Sequence, residues 1–360
     1  MMHIVALLAL AGVCDRTPLA EILGSDPRLS RVLESPDTYR AQILVRELGP
    51  CANRRAFRES AEYFYPASAI KIVAAIGALR WAEEHGVDLR EEIVVGAGVP
   101  MTIQENLERT LVVSSNPGFN WLYDVAGVER MHRLLWRSGY RSVRMRHRFG
   151  PRAYPRSEQR IAPEVRRGNG EHVTPRRTMV EALPPNVGAR TSIGHAHIEP
   201  STQRRVSHPM PFAGRNGMTL ADLQAVLIDI IHPEAAPSPL PLSEESRQTL
   251  RGELSRVVDE APPAGAPPDR VRYKPLLAGV RRGVRDPAQV HVESKAGRAY
   301  GFLVDNGYYR YGRRELFIAA VVYVNSNGVI GDDTYEYNTT GLAFFEALGE
   351  ALAREVFTAR

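Results

Sequence analysis

The sequence predicts an α+β fold: an antiparallel five-stranded sheet assembled from both chain ends, flanked by helices, with an all-helical subdomain between them. Three observations predict it. Two strand-like stretches, 39–48 and 55–64, flank the turn Gly49-Pro50-Cys51-Ala52-Asn53 near the N-terminus. Three more, 289–294, 300–305 and 315–325, lie near the C-terminus. Between the two groups the apolar residues recur at helical spacing. Strands at both ends and helices in the middle make one sheet only if the chain ends meet. The expected division is therefore 15–62 with 270–360 as one α/β subdomain and 63–269 as the helical one.

Taken in order, residues 17–35 have helical spacing through Leu19, Ile22, Leu23, Leu29, Val32 and Leu33. Pro66 precedes an apolar run, 70–81, that reads as a buried helix with the proline near its first turn. Helices follow at about 103–112, 117–138, 219–232 and 243–259, with Thr219 and Ser243 as N-caps. Residues 140–216 are rich in Arg, His, Pro and Gly without a sustained period, and read as a long irregular excursion. Residues 261–268 are proline-rich and expected to be exposed. Asn306-Gly307 is expected at a turn between the last two strands. An amphipathic helix, 340–357, closes the chain.

Composition narrows the class. With 44% hydrophobic and 24% charged residues, the 360-residue chain reads as a soluble globular protein. A formal charge of +5, spread over this length, argues against a nucleic-acid partner. Zinc-finger spacing, a phosphate-binding glycine loop and internal repeats are absent from the sequence. Residues 4–13 form an apolar run, too short to span a bilayer and suited to a signal-peptide core over 1–14. This predicts an exported, periplasmic or extracellular protein, although no Lys or Arg precedes the run. Leu10-Ala11-Gly12-Val13-Cys14 looks like a lipoprotein cleavage box, with Val13 where a small residue is expected. Cys14 is thus a candidate lipid anchor, or the partner of Cys51 in a disulfide. The bland alternative is a buried first helix. Neither cysteine lies near a catalytic-looking histidine, so a thiol nucleophile is not expected.

Only three of the 46 Lys and Arg residues are lysines: Lys71, Lys274 and Lys295. A coding bias towards arginine explains their scarcity, but lysine, unlike arginine, can lose its proton when buried. Lys71 ends Ser68-Ala69-Ile70-Lys71. Residues three apart share a helix face, so Lys71 lies within reach of the Ser68 hydroxyl. A serine is a poor nucleophile until a neighbour takes its proton, and a lysine desolvated by Ile70, Ile72 and Val73 can do so. The helix N-terminus would leave backbone N–H groups for an oxyanion. The second element is Ser114-Ser115-Asn116. Its first hydroxyl can shuttle a proton to a leaving group, and Asn116 can hold both a lysine and a substrate carbonyl. Read by itself, this triplet is a helix cap. The third element is Lys295-Ala296-Gly297 at a strand end, where an ammonium can bind a carboxylate and Gly297 permits close backbone approach. Read by itself, it is a solvated strand-end lysine.

In this order and on these elements, the three motifs resemble those of the penicillin-recognising serine enzymes, the class A β-lactamases and penicillin-binding proteins. The likeness runs from about residue 38 to 357. It implies a β-lactamase/transpeptidase-like fold, with Ser68 as acylated nucleophile, Lys71 as proton acceptor and Ser114 as relay. Lys295 would bind the substrate carboxylate, and the backbone N–H groups of Ser68 and Arg298 would form the oxyanion hole. Asn120, six after Ser114, stands where class A enzymes have an asparagine that holds the deacylation loop. The segments beginning Asn216-Gly217-Met218-Thr219-Leu220 and Leu242-Ser243 resemble starts of later family helices. Ser115 replaces an aspartate of a mostly structural position. Ala296 replaces a Thr or Ser and removes a hydroxyl from the carboxylate site, which the Arg298 fork could offset.

Class A enzymes also use a glutamate to activate the deacylating water. Glu199-Pro200-Ser201-Thr202-Gln203 is similar to the family's Glu-Pro-x-Leu-Asn stretch, which makes Glu199 the leading candidate. Glu164, Glu171 and Glu181 are the alternatives, and a chain without such a base is the remaining option. His195-Ala196-His197 has too few firm partners for a metal site, and no metal or cofactor is expected. The series Arg141, Arg144, Arg146, Arg148, Arg152 and Arg156 reads as a solvated surface or a site for an acidic polymer. The expectation is a monomeric exported serine hydrolase acting through an acyl-enzyme, with β-lactam amide hydrolysis in front. Its partners would be a β-lactam or a peptidoglycan-like peptide, with no nucleic acid and no membrane span. The alternatives are a D,D-peptidase, penicillin-binding or esterase-like hydrolase, and a non-catalytic binding module for a cell-wall peptide.

Overall fold

The computed structural model describes residues 16–48, 52–150, 164–167, 170–173, 186, 190–258 and 273–358. Cys14, Cys51, Arg152, Arg156, Glu181 and the segments 1–14 and 261–268 lie outside these residues.

One antiparallel sheet organises the molecule. Its strands are β1 (Gln42–Glu47), β2 (Asn53–Phe57), β3 (His291–Ser294), β4 (Gly297–Ala299), β5 (Phe302–Tyr311) and β6 (Arg314–Tyr323). The order is β3-β5-β6-β1-β2, with β4 also on β5. β3 and β4 both pair with β5 and are separated only by Lys295-Ala296, so they act as one broken edge strand and the sheet is five strands wide. The N- and C-terminal strands meet where β1 lies on β6, from Gln42 opposite Val321 to Arg46 opposite Phe317. Alternation along β6 explains the burial of both faces. Phe317, Ala319 and Val321 join one core, and Leu316, Ile318, Ala320 and Val322 join the other.

The first core packs against the helices α1 (Lys71–His85), α2 (Ile103–Leu111), α3 (Asn116–Ala126), α4 (Val128–Arg137), α5 (Leu220–Ile231) and α6 (Glu244–Ser255). The second packs under α7 (Leu277–Arg282), α8 (Leu342–Ala353) and two short N-terminal helices. The expected caps are present: Thr219 accepts from the Asp222 N–H and Ser243 from the Ser246 N–H. Among the described residues, no helix is long and apolar enough to cross a membrane.

Four local expectations change. The 17–35 helix is two helices, Leu19–Gly24 and Pro27–Leu33, because Asp26 caps the second and a proline opens it. The second strand stops at Phe57, and Arg58 and Ser60 have φ of 51° and 63°, outside the strand region. The 117–138 helix breaks at Gly127, whose φ is 72°. Asn306-Gly307 is not a turn. β5 runs through it, and the chain reverses at Gly312, φ 59°, between the paired Tyr311 and Arg314. Asn306 is buried inside the sheet, and its side-chain amide donates to the Leu223 carbonyl at 2.8 Å.

The ends of the 140–216 excursion are fastened to each other. Arg144 and Gly217 exchange backbone hydrogen bonds of 2.7 and 3.0 Å. The buried Asn216 accepts from the N–H groups of Arg146 (2.7 Å) and His147 (3.1 Å) and donates to the His147 carbonyl (3.0 Å). Two buried histidines complete the lock as acceptors: His147 Nε2 takes the Asn216 N–H at 3.2 Å, and His132 Nε2 takes the Met145 N–H at 3.0 Å. Burial holds their pKa values down, to about 3 for His147 and about 4 for His132.

These histidines make the lock acid-sensitive. In the unfolded chain they take up protons near pH 6.5, whereas in the fold they resist until about pH 4 or below. Stability is therefore lost as pH falls from about 6.5 towards 4, by up to about 1.4 kcal/mol per histidine per pH unit. Thermal denaturation across this range should show a steadily falling Tm, and a Tm that is flat from pH 7 to 4.5 contradicts this account.

Candidate active site

Ser68 lies in the one-turn 3-10 helix Ala67–Ile70 that leads into α1. The preceding Ala67 has φ 47°, a left-handed conformation that costs energy for an alanine and turns the chain sharply before the serine. Ser68 is half-buried, whereas Lys71, one turn on, is fully buried.

Neutral dipoles surround the Lys71 ammonium. It donates to the Ser114 carbonyl, to Asn116 Oδ1 at 2.7 Å and to Ser114 Oγ at 3.4 Å. The rings of Phe149 and Phe119 lie 5.4 and 5.9 Å from it. Ser114 has φ 59°, another left-handed residue, and both its carbonyl and its hydroxyl reach the lysine. Ser115 caps α3, accepting from the Gly118 N–H at 3.1 Å. Burial, and then the neighbouring Lys295, hold the Lys71 pKa well below the usual lysine range. Among the described residues no carboxylate offsets these two effects.

The broken edge strand faces Ser68. A Cβ on Gly297 would come within 2.4 Å of the Ser68 nitrogen and 2.5 Å of the Ala69 nitrogen, so only glycine fits. Lys295 sits in the break, 3% exposed, and its backbone N–H bonds the Asn306 carbonyl at 3.1 Å. Ala296 is buried. Arg298 lies over the Tyr337 ring at 5.5 Å and donates to Asn338 Oδ1 at 3.2 Å. Its fork is thus engaged with the C-terminal segment rather than replacing the hydroxyl missing at Ala296.

Ser68, Lys71, Ser114, Asn116, Lys295 and Gly297 therefore lie together where α1, the start of α3 and the broken edge strand meet. Glu199 does not join them. Its carboxylate lies 3.7 Å from His197 Nε2 and accepts from Ser201 Oγ at 3.2 Å, and its backbone bonds Arg204 and Gln203. Sequence similarity chose Glu199, but its short local turn is closed upon itself. Among the alternatives, Glu164 accepts the Gly96 N–H through its carbonyl and Glu171 pairs with Arg167 at 3.6 Å.

The segment that Asn120 holds is a different one. Its amide donates to the Phe149 carbonyl at 2.8 Å and accepts the Phe149 N–H at 2.7 Å. Phe149 is thus fixed by Asn120, its ring tilted against Phe119 with centroids 4.6 Å apart and facing Lys71. A phenyl ring cannot accept a proton. Sequence reasoning missed Phe149 because no motif marks it; following the two-bond grip of Asn120 is what finds it. Among the described residues no cluster of three His, Cys, Asp or Glu could hold an ion.

Comparison with known proteins agrees with the fold. Residues 26–183, under half of the chain, match the β-lactamase enzyme family. A mutant of the last common ancestor of Gram-negative bacteria class A β-lactamase is similar, at 18% identity and TM-score 0.54, over 92% of this chain and 98% of that one. The class A β-lactamase from Mycobacterium abscessus gives 17% identity and TM-score 0.53 over 92% and 99%. The β-lactamase from Xanthomonas campestris pv. campestris gives 17% and 0.52 over 91% and 97%. No curated protein matches.

The Gly297 contact yields a direct test. Gly297→Ala must push the edge strand off the Ser68 turn, an overpacking that should cost about 1–3 kcal/mol of stability. Chemical denaturation of the variant checks this, and a stability within about 0.3 kcal/mol of the wild type refutes it.

Proposed function

We propose that this chain is a serine hydrolase of the serine β-lactamase/penicillin-binding-protein-like superfamily that is acylated on Ser68 and deacylates slowly. Its substrates would be carboxylate-bearing amides of the β-lactam or cell-wall peptide class, as in the penicillin-binding and D,D-peptidase branch. One observation carries the reading: the base side of the cleft holds a buried, carboxylate-free lysine, and the deacylation side holds Phe149.

The chemistry follows from the geometry. Neutral Lys71 takes the Ser68 proton as Oγ bonds to the carbonyl carbon, and the oxyanion is held by the backbone N–H groups of Ser68 and Arg298. The amide C–N bond then breaks, and Ser114 Oγ passes a proton, replaced from Lys71, to the departing nitrogen. Lys295 binds the substrate carboxylate. The resulting ester is stable until a water is deprotonated, and among the described residues Lys71, beside Phe149, is the base we assign to that step.

Acylation also separates this reading from a non-catalytic module. Intact-protein mass spectrometry after mixing with a penicillin should show the full drug mass on the wild type, persisting after free drug is removed, and none on Ser68→Ala. Phe149→Glu restores a proton acceptor and should shorten the life of that adduct by about 10-fold or more, the low end of what a placed general base contributes. A wild-type adduct that turns over within seconds refutes slow deacylation, and no adduct at all favours the binding module.

A further inference from the structure

The remaining lysine, Lys274, is buried directly behind the broken edge strand. We propose that Lys274 is a positioning residue for Lys295: together with Asp305 it forms a buried charged cluster that fixes the strand end and sets the charge that Lys295 presents to a substrate carboxylate. This rests on the acyl-enzyme reading above.

The placement is specific. Lys274 Nζ donates to the Leu254 carbonyl at the end of α6 (2.6 Å), to Ser294 Oγ (3.2 Å) and to the Ser294 carbonyl (3.4 Å). Ser294 is the last residue of β3, immediately before Lys295. Two residues beyond Lys274, the Leu276 N–H donates to Asp305 Oδ2 at 3.1 Å. Asp305 lies on β5, fully buried, and its Oδ1 has no hydrogen-bond partner among the described residues. The segment 274–276 therefore pins both the strand that carries Lys295 and the carboxylate behind it. An arginine at 274 would present a planar fork to three acceptors arranged around a single ammonium.

The electrostatics agree. Burial, then Lys274, bring the Lys295 pKa down to about 7, while Asp305 acts in the opposite sense. Burial in turn raises Asp305 to about 6. Lys71, across the cleft, is the one other charged group tied to Lys295 among the described residues. At neutral pH the empty site therefore holds a lysine poised to lose its proton, and an arriving carboxylate supplies the missing negative charge. Lys295 then takes up a proton as substrate binds.

The test uses the rarity of lysine. In full-length protein grown with [13Cε]lysine, three signals report the three lysines, and Lys→Arg variants assign them. In Lys274→Met the Lys295 midpoint should rise by about one pH unit, because a buried like charge has been removed. In Asp305→Asn, which can still accept the Leu276 N–H, it should fall by about the same amount. The alkaline limb of penicillin acylation should move in the same two directions. Lys295 midpoints unchanged in Asp305→Asn overturn the proposal even if Lys274→Met fails to fold. A wild type that is never acylated would instead overturn the acyl-enzyme reading, while the titrations would still decide the role of Lys274.

Discussion

A lysine ammonium buried without a carboxylate is the constraint on which this site depends. Moving a charge out of water costs more than neutral dipoles restore, so the group gives up its proton instead. At Lys71 the fold supplies only the Ser114 carbonyl, the Ser114 hydroxyl, the Asn116 amide oxygen and two phenyl rings. Left-handed backbone occurs at Ala67, just before the Ser68 turn, and at Ser114, whose carbonyl and hydroxyl both reach the Lys71 nitrogen. Lys295, held near neutrality by its own burial and by Lys274, adds a like charge that pushes Lys71 further down. The three lysines thus form one electrostatic unit.

The rest of the molecule keeps that unit in place. The sheet edge reaches Ser68 only because Gly297 has no side chain. Phe149 reaches Lys71 because Asn120 holds its backbone from one side, while Asn216 and the neutral histidines hold the preceding residues from the other. The excursion that follows Phe149 therefore departs from a fixed point and returns to one at Gly217. Its ends belong to the active-site scaffold, which accounts for a buried neutral histidine, His147, in a segment otherwise rich in arginine.

How much was legible depended on whether the information was local. Ser68, Lys71, Ser114, Asn116, Lys295 and Gly297 were readable because each lies in a short motif with its own helical or strand context. The α+β class was readable because strand periodicity occurs at both ends of the chain. Glu199 was chosen on a Glu-Pro turn, which looks alike wherever it lies, and its contacts with His197 and Ser201 are not legible in the sequence. Phe149 was invisible, since an aromatic in an irregular segment carries no chemical signal until Asn120 is seen to grip it. Lys274 carried one clue, its rarity, but nothing in the sequence joins it to Ser294. Asn306-Gly307 misled because the pair is a strong hairpin signal in isolation, whereas here the asparagine is buried and bonded inside a long strand.

The central claim is that burial without a carboxylate holds the Lys71 pKa well below the ordinary lysine range. Because the chain has three lysines, the titration of [13Cε]lysine-labelled protein by NMR tests it directly, with Lys71→Arg assigning the signal. The account predicts that the Lys71 midpoint lies well below the ordinary 10.5. A Lys71 that keeps its proton up to pH 10 would contradict it and would leave Ser68 without a base.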